Sequence, residues 1–179
     1  IRRQRQMCIR DSYAMTFNGE IYNYIELREK LIEAGYEFNT EGDGEPIIVG
    51  YHHFGEKVVE HLRGMFAFVI WDTEKKTMFA ARDPFGIKPL YYATTEAGTV
   101  FASEKKSILE MAEQLGLNLD LDQRAIEHYV DLQYVPEPES LHAHIRRLES
   151  SCTATLEPGS NVNAERYFCL LYTSDAADE

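Results

Sequence analysis

The feature that most constrains the fold is a nearly continuous apolar run at 65–71, with the sequence Met-Phe-Ala-Phe-Val-Ile-Trp. A strand with one face in water alternates apolar and polar residues, so this run predicts a strand that is covered on both faces. Residues 72–76 form a polar turn, and 77–81 is predicted to return as the paired strand. Segments 90–93 and 99–102 indicate a second hairpin. The sequence therefore predicts stacked sheets between helical layers.

Helices are predicted between and after these strands. Asn23 is expected to cap the first, with Glu26 at the capping-box position. Asp43 is expected to cap a second helix, Ser103 a third that runs to about residue 114, and Asp122 a fourth. The side chains expected to form the apolar, inward faces are Leu27, Leu31, Ile32, Ile108, Leu109, Met111, Ala125, Ile126 and Tyr129. Further predicted elements are a short helix at 56–63 and short strands at 37–39, 152–156 and 166–168.

The pair Asn18-Gly19 directly follows a predicted strand at 13–17. A side-chain amide and an unhindered backbone N–H are the two kinds of donor that an oxyanion hole needs. Taken alone, an Asn-Gly pair is more commonly a tight turn. A second motif changes this interpretation, because segment 82–92 reads Arg-Asp-Pro-Phe-Gly-Ile-Lys-Pro-Leu-Tyr-Tyr and is followed by Ser-Glu-Lys-Lys at 103–106.

Together with Glu20-Ile21-Tyr22-Asn23, these motifs resemble the glutamine-hydrolysing domain of the asparagine synthetases, which are class II amidotransferases. The resemblance covers nearly all of 13–168. It implies an α+β fold, the four-layer αββα sandwich of N-terminal-nucleophile amidotransferases, in an incomplete form. It further implies that the Asn18 amide and the Gly19 N–H form the oxyanion hole. Glu20 and Asp43 would line the glutamine pocket, with Asp43 holding the substrate's ammonium group.

Two residue groups keep alternative interpretations. Asp43 is also placed to be a plain helix N-cap, and one carboxylate can serve both purposes. Arg82 and Asp83 could form a rigid surface turn with a local ion pair, whereas the resemblance implies a buried structural loop near the glutamine pocket. We favour the structural role. No metal site is predicted, because the histidines are not spaced as a ligand set.

The two ends of the chain are predicted to be adapter-derived. Residues 1–12 and 169–179 can be encoded by opposite strands of one short DNA, which resembles the transposon-end adapter used to fragment DNA for sequencing. The expected domain organisation is therefore an adapter-derived scar at 1–12, a partial amidotransferase domain at 13–168, and a second scar at 169–179. Met7-Cys8 looks like the family's Met-Cys start, but Cys8 falls within the first scar.

Composition excludes several classes of partner. The chain carries a net charge of −12, which argues against nucleic acid or an anionic membrane surface. No apolar run approaches the roughly twenty residues of a membrane span. Cys152 is the single cysteine outside the predicted scars, so no disulfide framework is expected, which fits a cytoplasmic protein.

The resemblance also implies what the longer parent protein does. The domain would bind L-glutamine and hydrolyse it to glutamate and ammonia. A C-terminal synthetase domain, absent from this chain, would use ATP and Mg²⁺ to convert aspartate to asparagine, and the parent could be a homodimer. No cofactor is expected in this chain, which is expected to be inactive because the N-terminal cysteine nucleophile is absent. The alternatives are an amidotransferase that acts on another carboxylate and a non-catalytic remnant.

Overall fold

Two antiparallel sheets form the centre of the structure, a computed structural model that describes residues 12–96 and 98–169. The larger sheet contains β1 (Tyr13–Ile21), β2 (Gly64–Asp72), β3 (Thr77–Arg82), β7 (Cys152–Leu156) and β8 (Ala164–Arg166), in the order β1-β2-β3-β7-β8. The smaller sheet contains β4 (Tyr91–Thr95), β5 (Gly98–Ala102) and β6 (Arg146–Arg147), in the order β5-β4-β6.

The helices are short and lie outside the sheets. They are α1 (Tyr24–Glu33), α2 (Gly44–Phe54), a 3₁₀ helix (Gly55–His61), α3 (Lys105–Glu110), α4 (Ala112–Leu115) and α5 (Gln123–Leu132). None of the helices in the described part of the chain is long and apolar enough to cross a membrane.

Three apolar cores separate four layers. Leu31 and Ile47, from α1 and α2, belong to the core on one face of the larger sheet. Leu90, next to β4, belongs to a second core that lies between the two sheets. On the outer face of the smaller sheet, Ile108 of α3 clusters with Ala93 of β4. The resulting order of helix, sheet, sheet and helix is the predicted α+β sandwich.

Strand β2 carries the apolar run, and the prediction that it is covered on both faces is confirmed. Residues 66–70 are all buried. Phe66, Phe68 and Ile70 lie in the core beneath the helices, whereas Ala67 and Val69 lie in the core between the sheets. Because successive side chains of a strand point to opposite faces, one strand supplies two cores. This strand is the neighbour of β1, which carries Asn18 and Gly19.

The predicted N-cap position of α1 is correct, but the predicted side-chain cap is not. Asn23 makes no side-chain cap hydrogen bond. Its Nδ2 instead donates to the His61 carbonyl at 2.9 Å, and its Oδ1 accepts from the Arg63 N–H at 2.8 Å. The amide therefore satisfies the backbone that leads into β2, and Glu26 forms an exposed ion pair with Arg63 rather than a capping box.

Three other local predictions also need correction. Residues 37–39 form no strand, because the N–H groups of Asn39 and Thr40 donate to the Glu45 carboxylate at 2.9 and 2.7 Å. The segment expected as a helix at 56–63 is mainly the 3₁₀ helix. The last strand is β8, so the final two residues predicted for it follow its end.

The helices after β5 also differ from the prediction. Ser103 caps no helix, since α3 begins at Lys105, after the N-cap residue Glu104. The helix breaks at Met111, whose N–H bonds to the Ile108 carbonyl three residues back, a tighter closure that ends an α-helix. The elements α3 and α4 therefore replace one continuous helix.

The predicted start of α5 is confirmed, but its inward face is only partly correct. Asp122 accepts hydrogen bonds from the N–H groups of Arg124 and Ala125. Ala125 is buried, whereas Ile126 and Tyr129 are 38% and 50% exposed. Ile32 on α1 and Met111 between α3 and α4, also expected inside, are 51% and 44% exposed. These side chains face solvent because the described residues place no layer over them.

Candidate functional site

The Asn18-Gly19 pair lies inside the β1–β2 ladder, not beyond the end of a strand. The prediction ended the strand at residue 17, but the ladder continues to Ile21, with Asn18 opposite Ala67 and Gly19 opposite Phe66. Pairing with β2 extends the strand because the chain can approach its neighbour closely at this point. The motif is consequently held by a strand of the larger sheet, which fixes its backbone.

Gly19 permits this approach because it has no Cβ. A Cβ at this position would lie 2.2 Å from the Met65 carbonyl oxygen and 2.7 Å from the Phe66 Cα. Both atoms belong to the backbone of β2, so neither can rotate away. The backbone φ of 153° also disfavours any other residue. Glycine is therefore required here by contact with β2.

Asn18 faces the space between the two sheets. Asn18 lines a cavity of about 200 Å³ together with Ala67, Leu90, Phe101 and Ser103. Within the described part of the chain, the Asn18 side-chain amide has no hydrogen-bond partner. The amide is thus available to donate to a ligand that enters this cavity.

Asp43 lies at the same end of β1. Its Oδ2 accepts a hydrogen bond from the Ile21 N–H at 3.0 Å. The interpretation of Asp43 as a side-chain N-cap is wrong, since its carboxylate makes no cap hydrogen bond to α2. Among the described residues Oδ1 has no partner, so this oxygen can accept from a ligand. Glu20, between Gly19 and Ile21, is exposed.

Asp83 is a fully buried carboxylate that collects four backbone donors. Its Oδ1 accepts from the N–H groups of Phe85 and Ile87, each at 3.0 Å. Its Oδ2 accepts from the N–H of Lys88 at 3.0 Å and from that of Phe66 at 3.3 Å. One side chain therefore holds the loop after β3 in shape and ties it to β2.

Arg82 is buried beside it and donates to three backbone carbonyls and one carboxylate. Nε donates to Lys88 O at 2.7 Å, Nη2 to Gly86 O at 2.7 Å, and Nη1 to Leu148 O at 2.6 Å. Nη1 also forms an ion pair with Glu137 Oε1 at 2.6 Å. The guanidinium joins segments that are far apart in sequence, which is the arrangement expected of a structural residue.

Tyr167 closes this region from the C-terminal side. Its hydroxyl donates to the Arg82 carbonyl at 2.8 Å. Burial raises the pKa of the Tyr167 phenol well above its usual range, and the neighbouring Asp83 carboxylate raises it further. The phenol therefore stays protonated and keeps donating at neutral pH.

The structure thus brings the predicted residues together in two groups. Asn18 and Gly19 lie near the end of β1, and Asp43 is bonded to its last residue, Ile21, with Glu20 exposed between Gly19 and Ile21. Arg82 and Asp83 lie behind that end, and Asp83 reaches it through Phe66. Cys8 lies outside the described residues.

Two contributors were missed from the sequence. No element or role is predicted for Glu137, and Tyr167 is predicted only as part of the strand at 166–168. Glu137 and Tyr167 form hydrogen bonds with Arg82 although they lie 55 and 85 residues away in the sequence. No local pattern signals such a contact.

This arrangement suits recognition of a carbonyl compound that carries a cationic group. An amide donor and a glycine backbone can stabilise a developing oxyanion, and a partly buried carboxylate can accept from an ammonium group. Across residues 12–96 and 98–169, no group of three or more His, Cys, Asp or Glu side chains could hold a metal ion.

Some known proteins are similar to this chain in sequence, and others are similar to it in fold. A provisionally named asparagine synthetase (glutamine-hydrolysing) of Mycobacterium bovis is 56% identical over 147 residues, which is 82% of this chain and 22% of the relative. Asparagine synthetase (glutamine-hydrolysing) 1 of Bacillus subtilis is 44% identical over 158 residues, or 88% of this chain and 24% of the relative. The chain thus spans about a quarter or less of the length of these curated relatives.

A solved structure with the same fold is the glutamine phosphoribosylpyrophosphate amidotransferase of B. subtilis, with a TM-score of 0.61 and 18% identity over 89% of this chain and 30% of that one. The family model described as a glutamine amidotransferase domain matches residues 3–168. That match includes the Asn18-Gly19 pair, Asp43 and the Arg82-Asp83 loop. On this match and on the identity to its relatives, the chain belongs to the glutamine amidotransferase domain family.

Proposed function

We propose that this domain binds L-glutamine and supplies the oxyanion hole for hydrolysis of the glutamine side-chain amide. The observation that carries the proposal is that three groups lie within, or are bonded to, the last four residues of β1. The Asn18 amide, which has no partner among the described residues, and the Gly19 backbone are adjacent in the strand, and the Asp43 Oδ2 lies 3.0 Å from the Ile21 nitrogen. These groups match the two charged or polar ends of glutamine that a glutaminase has to hold.

The chemistry divides among these residues as follows. A thiolate supplied by the parent protein attacks the amide carbon, and the carbonyl oxygen becomes an oxyanion. The Asn18 amide and the Gly19 N–H donate to that oxyanion, and loss of one such donor costs about 10²–10³ in rate. Asp43, with Glu20 at the pocket edge, accepts from the α-ammonium group. Ammonia leaves, and water hydrolyses the thioester to glutamate.

In the parent protein, the released ammonia would serve a C-terminal synthetase domain that uses ATP and Mg²⁺ to convert aspartate to asparagine. The names of the two curated relatives support this acceptor, and their greater length supports a further domain. We place the parent in the cytoplasm, as a possible homodimer. Residues 1–12 and 169–179 are adapter-derived in this proposal, so Cys8 is not the nucleophile.

Two alternatives make different demands on the chain. An amidotransferase that acts on another carboxylate would use the same glutamine site, and the acceptor would be chosen by the other domain. A non-catalytic remnant would bind glutamine or a partner without turnover. The non-catalytic alternative describes the isolated chain if its nucleophile is absent.

Titration calorimetry of L-glutamine into the purified chain tests the site. We expect Asp43→Asn to weaken glutamine binding about tenfold or more, because it removes a charged acceptor for the ammonium group. The substitution keeps the side chain's size and an oxygen for the Ile21 N–H. Asp131→Asn, on exposed α5, should leave the affinity unchanged. Equal affinities in all three proteins would contradict the assignment.

Hydrolysis tests the interpretation of Cys8. We expect residues 1–179 to release no ammonia from glutamine. Release that disappears in Cys8→Ala would show that Cys8 is the nucleophile and would overturn the adapter origin of the first segment. In the parent protein, Asn18→Ala should lower kcat about 10²- to 10³-fold.

A further inference from the structure

Phe66 is held at both of its backbone polar groups by one buried residue. The Asp83 N–H donates to the Phe66 carbonyl at 2.8 Å. In return, the Phe66 N–H donates to Asp83 Oδ2 at 3.3 Å. Asp83 has no exposed surface, so this reciprocal pair is shielded from competition with water. The start of β2 is consequently fixed in position by the loop after β3.

Phe66 is also the residue against which Gly19 lies. The two residues are register partners. The contact is close enough that a Cβ on Gly19 would come within 2.7 Å of the Phe66 Cα and 2.2 Å of the Met65 carbonyl oxygen. A displacement of the 65–66 peptide group therefore displaces the Gly19 backbone, since no side chain lies between them to absorb the movement.

Building on the proposed function, we propose that Asp83 is a positioning residue for the oxyanion hole. Asp83 does not touch the substrate in this proposal. It fixes the 65–66 peptide group, which in turn sets where the Gly19 N–H points. Asp83 therefore affects Gly19 indirectly, through its hydrogen bonds to Phe66.

The role requires a carboxylate and not merely a side chain of the same shape. Two N–H groups point at each Asp83 oxygen, and an ionised carboxylate accepts at all of these sites. In one orientation the NH₂ group of an asparagine would face the N–H groups of Phe85 and Ile87, and in the other it would face those of Lys88 and Phe66. An NH₂ group repels the N–H groups that it faces. In the second orientation this repulsion displaces the Phe66 N–H and shifts the start of β2. A misplacement of about 1 Å can cost a hundredfold in rate.

Asp72, the last residue of β2, provides a control. It is 2% exposed and lies opposite Tyr13, at the far end of the β1–β2 ladder. Its Oδ1 also accepts from two backbone N–H groups, those of Glu74 and Lys75, at 3.0 and 2.9 Å. Asp72→Asn therefore replaces a buried, hydrogen-bonded carboxylate at the end of β2 that is far from Phe66.

The experiment measures glutamine hydrolysis in the parent protein, with the Gly19 amide chemical shift followed by NMR in the present chain. We expect Asp83→Asn to lower kcat about 30- to 100-fold while the KM for glutamine changes less than about twofold. The Gly19 amide resonance should change its chemical shift, because its peptide group is displaced. Asp72→Asn should change kcat by no more than about threefold and leave the Gly19 resonance in place. A general structural defect would raise KM as well as lower kcat.

Three outcomes decide the matter. Equal kcat losses in the two variants, or an unchanged Gly19 amide in Asp83→Asn, would overturn the positioning role. If Asp83→Asn does not fold, Asp83→Glu replaces it in the same comparison, since it keeps the carboxylate but moves it by one methylene. Full activity in Asn18→Ala would instead overturn the proposed oxyanion hole itself, whatever Asp83 does.

Discussion

At the scale of single residues, Gly19 shows how a contact between backbones dictates one amino acid. We expect Gly19→Ala to lower the free energy of unfolding by about 3 kcal/mol, because the new methyl group would meet backbone atoms at 2.2 and 2.7 Å. Those atoms belong to β2 and can move only if the ladder shifts. Urea unfolding followed by circular dichroism measures the change.

The control for this substitution is Gly42→Ala. A Cβ on Gly42 would meet no atom within 4 Å, so we expect a change of less than about 0.5 kcal/mol. A similar loss in both variants would mean that the general cost of replacing glycine, and not contact with β2, is responsible. A small loss in Gly19→Ala would mean that the two strands lie further apart than the structure places them.

The residues of the candidate site were proposed from the resemblance, which a short motif carries. The Asn18-Gly19 pair belongs to that motif, and Asp43 matches the place of the family's acidic residue before the second helix. The actual partner of Asp43 was not predictable. Its carboxylate turns away from α2 to the Ile21 N–H, 22 residues earlier, and only the folded chain brings those groups together. A local rule assigned the side chain to the nearest helix start.

At the scale of elements, α5 is the helix whose cap the sequence predicted correctly. Asp122 accepts from the Arg124 and Ala125 N–H groups at 2.9 and 3.1 Å. We expect Asp122→Ala to lower the free energy of unfolding by about 1 kcal/mol, because these donors lose their acceptor. Thermal unfolding measures this loss of stability. Glu127→Ala, at an exposed position of the same helix, should change stability by less than about 0.5 kcal/mol, and a matching loss there would contradict the capping role.

The sequence predicted strands better than helix faces, and the reason is physical. The run at 65–71 predicted a strand with two covered faces, and β2 has residues 66–70 buried. A helix face is inward only if another layer covers it. Ile126 and Tyr129 have the spacing of an inward face yet are exposed, because no described element lies over them. Periodicity predicts which side is apolar, but not whether that side is covered.

At the scale of the whole molecule, one buried guanidinium connects parts that the sequence keeps far apart. Arg82 ends β3, donates to the loop at 86–88, and reaches Glu137 and Leu148 in the segment that leads from α5 to β7. The smaller sheet belongs to the same region, since β6 lies just before Leu148. The contacts of Arg82 therefore join the larger sheet to the segments that hold the smaller one.

The contribution of this connection can be measured by removing its carboxylate. We expect Glu137→Ala to lower the free energy of unfolding by about 3 kcal/mol, because it leaves the Arg82 charge buried without its ion-pair partner. Arg82 is 3% exposed, and its ion pair spans 2.6 Å. Glu149→Ala is the matched control, since its ion pair with Arg166 spans 3.6 Å and both side chains are more than a third exposed. That loss should stay below about 1 kcal/mol because water screens the pair. Urea unfolding measures both variants, and equal losses would mean that burial does not distinguish the two pairs and that Arg82 does not join the sheets.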